Sequence, residues 1–230
     1  MPPQRVLVVG ASSGIGAAIV QRLRDDGAAV AGAARRAALV PCDVPLECDV
    51  SDAASCRAVV ATAADRLGGI DGLVYAAGFS PLRRLEATEA ADWDLLLRTN
   101  LIGAALVTAA ALPHLRAATA ATAIYLSSHS VPDPWPGLGA YAASKAALQT
   151  MVKAWQAEHP EIRFETFVVG PTATGFADGW EPDLAAELMP QWQASGLLDV
   201  AAVRSAEEVA AEVVSRLADR PDADARVTST

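Results

Sequence analysis

Short apolar runs alternate along the chain with longer stretches whose apolar residues recur at helical spacing. Arg5 to Val9 (RVLVV) reads as a buried first strand and Gly27 to Ala34 as the second. Ile70 to Ala77 reads as the fourth, Ala121 to Ser127 as the fifth, and Ile162 to Val169 as the sixth. Helical patterns cover Ala17 to Asp26, Ser51 to Leu67, Glu89 to about Leu115, Tyr141 to about His159, and Ser205 to Leu217. Gly68-Gly69 stops the second of these, and Ser205 with Glu208 three residues later caps the last. Ala225 to Thr228 has room for a short seventh strand. No linker divides the chain. The alternation therefore predicts one α/β domain over 1–230: a doubly wound parallel sheet of about seven strands with helices on both faces.

Two stretches break the alternation. Over 37–47 a helix would ordinarily join the second and third strands, but Pro41 and Pro45 leave room for one turn at most. Over 176–203 the pattern is irregular and carries Trp180, Met189, Trp192, Leu197 and Leu198. That segment reads as a lid over an apolar substrate, or equally as ordinary packing or a subunit contact.

Candidate chemistry sits at the strand tips. Gly10-Ala11-Ser12-Ser13-Gly14-Ile15-Gly16 joins the first strand to the first helix. Such a turn lets the backbone approach a pyrophosphate seated on the helix N-terminus; the alternative is a plain tight turn. The second strand ends at Ala34, followed by Arg35-Arg36 and no carboxylate. In a mononucleotide-binding sheet this tip meets the adenosine ribose, where an arginine favours a 2′-phosphate. The expectation is NADP rather than NAD, against the alternative that both arginines face solvent. Cys-Asp-Val occurs at 42–44 and again at 48–50. Asp49 and Val50 fit the adenine end, because Ser51 and Asp52 can cap the next helix; Asp43 takes that place if the register shifts. Ala76-Ala77-Gly78 ends the fourth strand with small residues, fitting close passage of a ligand or a tight turn.

Tyr141 and Lys145 are four apart and share one face of an alanine-rich helix. An ammonium beside a phenol favours the phenolate. Bringing a tyrosine from near 10 to near 7 requires roughly 4 kcal/mol of differential stabilisation. Such a group exchanges a proton with an alcohol or ketone oxygen at neutral pH, and Ser128 can donate to the same oxygen. Asn100 lies among Trp93, Leu96, Leu97 and Leu101 on one side of the long helix, so its amide must find partners. It either holds the backbone together or fixes a water near the site. His129 follows Ser128, but Leu126-Ser127-Ser128-His129 is not the nucleophile elbow a hydrolase would use.

The 230 residues carry a formal net charge of -9, which argues against a nucleic-acid partner. The start leads straight into a strand, unlike a secretory leader, and the apolar run from Leu101 to Pro113 is short for a membrane span. Cys42, Cys48 and Cys56 read as unpaired thiols in a reducing, cytoplasmic setting, and no histidine cluster offers a metal site.

Over about residues 5–175 the chain resembles the short-chain dehydrogenase/reductase family in its single-domain, Rossmann-like form. Gly10, Gly14 and Gly16 match the family's cofactor glycines, Asp49-Val50 its adenine-contacting pair, and Asn100, Ser128, Tyr141 and Lys145 its catalytic tetrad. The resemblance implies hydride transfer between nicotinamide and a carbonyl carbon. Tyr141 would protonate the oxygen, Ser128 position it, Lys145 lower the Tyr141 pKa and hold the nicotinamide ribose, and Asn100 anchor a water. Tyr75-Ala76 stand where the family usually has two asparagines. Pro171 is followed by Thr172, and Phe176 takes the usual threonine position, leaving Thr174 as the candidate for the carboxamide. The family's glycine-rich C-terminal tail is nearly absent; a homo-oligomer, dimer or tetramer, is expected. Large apolar residues around the nicotinamide side and few basic ones imply a neutral, largely apolar ketone or secondary alcohol. A non-catalytic dinucleotide-binding protein, an imine or enoyl reductase, and an epimerase are the other readings.

Overall fold

The computed structural model describes residues 4–219. Six strands form one sheet: β1 (Arg5–Val9), β2 (Ala29–Ala34), β3 (Val44–Glu47), β4 (Gly72–Tyr75), β5 (Thr122–Ser128) and β6 (Arg163–Val169). Their order is β3-β2-β1-β4-β5-β6 and every neighbouring pair is parallel. Successive strand residues face opposite sides, so each strand feeds two cores. Val6, Val8, Val30, Val74, Ile124 and Leu126 pack under α1 (Gly14–Asp25) and α7 (Ala206–Ala218). Leu7, Val9, Leu73, Tyr75, Ala123 and Tyr125 pack under α2 (Ala53–Leu67), α4 (Gly103–Ala117) and α5 (Gly139–Glu158). Each larger aliphatic side chain buried there contributes about 1.5–3 kcal/mol of transfer free energy.

The doubly wound parallel sheet matches expectation, with six strands rather than about seven. Residues 225–228 lie outside the described residues. A separate two-strand parallel ladder joins β7 (Thr172–Ala173) to β8 (Arg204–Ser205). Between β2 and β3 there is one 3-10 turn, Ala37–Leu39, in place of a helix. Pro45 sits inside β3, where the missing amide is tolerated because β3 is an edge strand.

The helix ends follow local chemistry. Asp52 caps α2 by accepting from Ala54 and Ser55 N–H, and Gly68 closes it in the left-handed region at φ 73°. Ser205 and Glu208 form a reciprocal capping box on α7. The helix expected over 89–115 is not uniform. It comprises α3 (Ala90–Leu97), one π-helical turn (Arg98–Ile102) and α4. The continuous run Ala90–Ala117, 28 residues, is long and apolar enough to cross a bilayer, which corrects the expectation drawn from 101–113 alone. Here Leu96, Asn100, Ala104, Val107, Ala111 and Leu115 are buried within the domain. The remaining helix, α6 (Pro182–Ala194), packs Leu188 and Trp192 against Leu82, Trp135 and Leu138 in the loops after β4 and β5.

Candidate active site

The strand order reverses between β1 and β4, and at that switch point a crevice opens beyond the carboxyl ends of the strands. It forms a cavity of ≈ 1040 Å³. Gly10, Ser12, Ser13, Gly14, Ile15 and Gly16 wall it on one side; Arg35, Asp49 and Val50 lie at one end, Ser128, Tyr141 and Lys145 at the other. Ala76, Ala77, Gly78, Pro171 and Thr174 lie along its length.

The glycine turn is as tight as its composition demands. A Cβ on Gly10 would stand 2.4 Å from the Ala77 nitrogen, and one on Gly16 would stand 2.1 Å from the Gly10 carbonyl. Gly14 has φ +53°, a conformation that favours glycine. Ser13 makes no side-chain capping hydrogen bond to α1. The first-turn amides therefore face the cavity uncapped, as a pyrophosphate would require.

At the end of the cavity that carries Asp49, Arg35 and Arg36 are exposed and make no ion pair within 4 Å among the described residues. Ser51 donates through both N–H and Oγ to Asp49 Oδ1, and these bonds hold the Asp49 carboxyl below its usual range. Asp43 does not share this place: it precedes β3 and pairs with Arg24 at 3.3 Å. Beneath Asp49 the buried thiols Cys48 and Cys56 are neighbours, and Cys56 Sγ lies 3.5 Å from the Val50 carbonyl. All three cysteines are free.

At the other end, Ser128 Oγ accepts from Ser130 N–H at 3.1 Å and lies 2.9 Å from Ser130 Oγ. Burial pushes the Tyr141 phenol up to about 12, and its hydrogen bond with Ser128 only partly opposes this. Lys145 Nζ donates to the Leu126 carbonyl at 2.8 Å and stands 5.8 Å from the Tyr141 ring centre. Burial brings Lys145 down to about 8. The expected lowering of the tyrosine pKa by the lysine is thus reversed in this structure. Both groups lose solvent, and the ammonium is held by a carbonyl rather than by the phenol.

Asn100 does not line the cavity. Its fully buried side chain donates to the Phe79 carbonyl and to Ser144 Oγ, and accepts from Phe79 N–H, each at 2.9 Å. Of the two readings of this residue, the side chain performs the first: it ties the chain after β4 to α5. Thr174 Oγ1 accepts from Phe176 N–H at 3.3 Å, and its Cβ and methyl would lie 3.4 Å from a Cβ placed on Gly14. Phe176 packs its ring 5.3 Å from that of Tyr141. From there an aromatic chain runs through Trp180 at 5.8 Å, Trp192 at 5.8 Å and Trp135 at 5.3 Å. Trp135 and Trp192, with Trp180 packed against them, form a third apolar cluster with Leu82, Leu138 and Leu188 near the Tyr141 end.

A model of the short chain dehydrogenase family matches residues 4–185. The chain belongs to the short-chain dehydrogenase family. It is therefore an oxidoreductase of a family that uses a nicotinamide cofactor. Dehydrogenase/reductase SDR family member 4 of Oryctolagus cuniculus is 32% identical over 196 residues, 79% of this chain and 75% of that protein. The chain spans 75%, 66% and 52% of the length of the first curated relatives it matches. Among solved structures, a short chain dehydrogenase from Burkholderia cenocepacia in complex with NADP is 28% identical with TM-score 0.82, covering 94% of this chain and 91% of that one. An alcohol dehydrogenase from Thermococcus sibiricus complexed with 5-hydroxy-NADP is 25% identical with TM-score 0.80, over the same shares.

Several residues of this short-chain dehydrogenase site escape a reading of motifs. Phe79 and Leu126 act through backbone groups, which no side-chain pattern reveals. Ser144 stands inside the Tyr141–Lys145 stretch, and that placement was its one sequence signal. Ser130 is buried beside Ser128 and carries no signal at all.

Proposed function

We propose that the protein is an NADP-dependent reductase or dehydrogenase acting on a neutral, largely apolar ketone or secondary alcohol. The observation that carries this reading is one continuous cavity that joins an uncapped glycine turn and the exposed Arg35 and Arg36 to Ser128, Tyr141 and Lys145. When bound, the nicotinamide supplies or accepts the hydride. Gly14 to Gly16 would hold the pyrophosphate, Arg35 the 2′-phosphate, and Asp49 with Val50 the adenine. Tyr141 gives its proton to the substrate oxygen in reduction and takes it back in oxidation. Ser128 donates to the same oxygen and fixes its position. Lys145 places a positive charge behind the phenol as the proton leaves.

The substrate reading rests on the wall around Tyr141. Phe176, Trp180, Trp135, Met189 and Trp192 line it, and within the described part of 129–203 the cationic side chains are Lys145, Lys153 and Arg163. Lys145 is committed to the Leu126 carbonyl, while Arg163 pairs with Glu165. An anionic substrate would lack a counter-charge there. In a panel of carbonyl compounds assayed by NADPH consumption, aryl and alkyl ketones should exceed carboxylated or phosphorylated ones by about 10-fold or more in kcat/KM. Preference for an anionic compound would overturn the pocket reading. Tight NADPH binding with no turnover across the panel would favour a binding protein instead.

Cofactor choice has its own test. A guanidinium on a phosphate forms a charge-assisted, forked contact worth about 1.5–3 kcal/mol. Arg35→Ala should raise the KM for NADPH by roughly 10-fold or more and leave that for NADH within about 2-fold. Equal effects on both would place Arg35 away from the 2′-phosphate.

A further inference from the structure

The π-helical turn at Arg98–Ile102 and the side chain of Tyr75 meet at one backbone atom. Gly103 N–H donates to the Arg98 carbonyl, five residues back rather than four. A helix that slips in this way leaves carbonyls in need of other donors. Tyr75 supplies one: its hydroxyl donates to the Thr99 carbonyl at 2.7 Å. Tyr75 is fully buried at the end of β4, just before the cavity-lining Ala76, Ala77 and Gly78. Gly103 leaves room for both the hydroxyl and the chain at Val50: a Cβ there would stand 2.7 Å from Tyr75 Oη and 2.7 Å from the Val50 carbonyl. One residue beyond Thr99 is Asn100, whose amide holds Phe79 and Ser144.

We infer that Tyr75 is a positioning residue: by capping the Thr99 carbonyl it fixes the widened turn and, through it, the Asn100 side chain that joins the β4 tip to the helix bearing Tyr141 and Lys145. The inference rests on the reading of this cavity as a reductase site. The residue that departs from the family's usual asparagine is in this way tied to the tetrad by a second route.

The neighbouring strand supplies a matched control. Tyr125 is also fully buried, pairs with Tyr75 in register, and stacks with it at 6.5 Å between ring centres. Its hydroxyl meets Thr108 Oγ1 at 2.6 Å, one turn and more past the π-helical segment. Tyr125→Phe removes the same chemistry without touching Thr99.

Asn100 is the one asparagine in the 230 residues, so protein labelled with 15N-asparagine gives one side-chain amide signal. Both of its protons are hydrogen-bonded, which predicts slow exchange with solvent. In Tyr75→Phe that signal should move and its protons exchange about 10-fold faster or more; in Tyr125→Phe it should stay in place. The kcat for NADPH-dependent reduction should fall roughly 10-fold in Tyr75→Phe, with the KM for NADPH within about 2-fold, and stay unchanged in Tyr125→Phe. If Tyr75→Phe does not fold, the wild-type signal still tests the inference: an Asn100 amide that exchanges at the rate of a solvent-exposed one overturns it. An unmoved signal overturns the inference whatever the activity. A moved signal with unchanged kcat overturns it as well, since the placement would then be without consequence. A wild-type protein that reduces no carbonyl refutes the functional reading alone, and the amide signal still decides the placement of Asn100.

Discussion

Tyr141→Phe is expected to lower kcat for ketone reduction by about 10²–10⁴-fold, the range that a positioned proton donor contributes. The substitution keeps the ring and its contact with Phe176, and deletes one hydroxyl. Binding of NADPH, followed by fluorescence titration, should stay within about 2-fold, because under the proposed function the first-turn amides and Arg35 would carry most of that contact. Loss of turnover with retained binding is the signature of an interaction made only as the bond rearranges. Turnover undiminished in Tyr141→Phe would remove the phenol from the mechanism.

The second large effect belongs to Lys145. In reduction the useful state has Tyr141 protonated and Lys145 charged. Tyr141 keeps its proton until about 12, while Lys145 gives up its own at about 8. As pH rises, the first group to leave the useful state is therefore the lysine. The kcat/KM for reduction, which reports the free enzyme, should fall above about pH 8. Lys145→Met should lower it by roughly 10²–10³-fold and abolish that break, since the methionine carries no proton to lose. A break that survives in Lys145→Met, or one that first appears near pH 12, would assign the titration to another group.

The parts of the fold that rest on local pattern were readable from the sequence. Each buried strand of the sheet is an apolar run, and the caps at Asp52, Gly68 and Ser205 are set by residues adjacent to the helix they end. The cavity-lining glycines are legible for the same reason: at Gly10 and Gly16 a side chain has nowhere to go. What stayed hidden depends on contacts distant in sequence. The π-helical turn follows an unbroken helical pattern and is met by Tyr75, 24 residues earlier. The β7–β8 ladder pairs Thr172 with Arg204, and two-residue strands have no periodicity. The protonation balance of Tyr141 and Lys145 is not legible in the sequence, because spacing reveals a shared helix face and says nothing of solvent exclusion.

The two faces of the sheet are unequally provided. One is covered by α2, α4 and α5; the other rests on α1 and α7. Helix α1 is made early in synthesis and α7 late, yet each is the other's principal lateral neighbour. Until α7 has emerged, Ile19, Val20 and Leu23 lack the cover that Val209, Val213 and Leu217 belong to. The glycine turn leads into that same helix, so an early segment of the domain completes its packing only when α7 arrives. Before α7 joins it, α1 carries an exposed apolar stripe, the kind of surface that makes partly folded domains prone to aggregate.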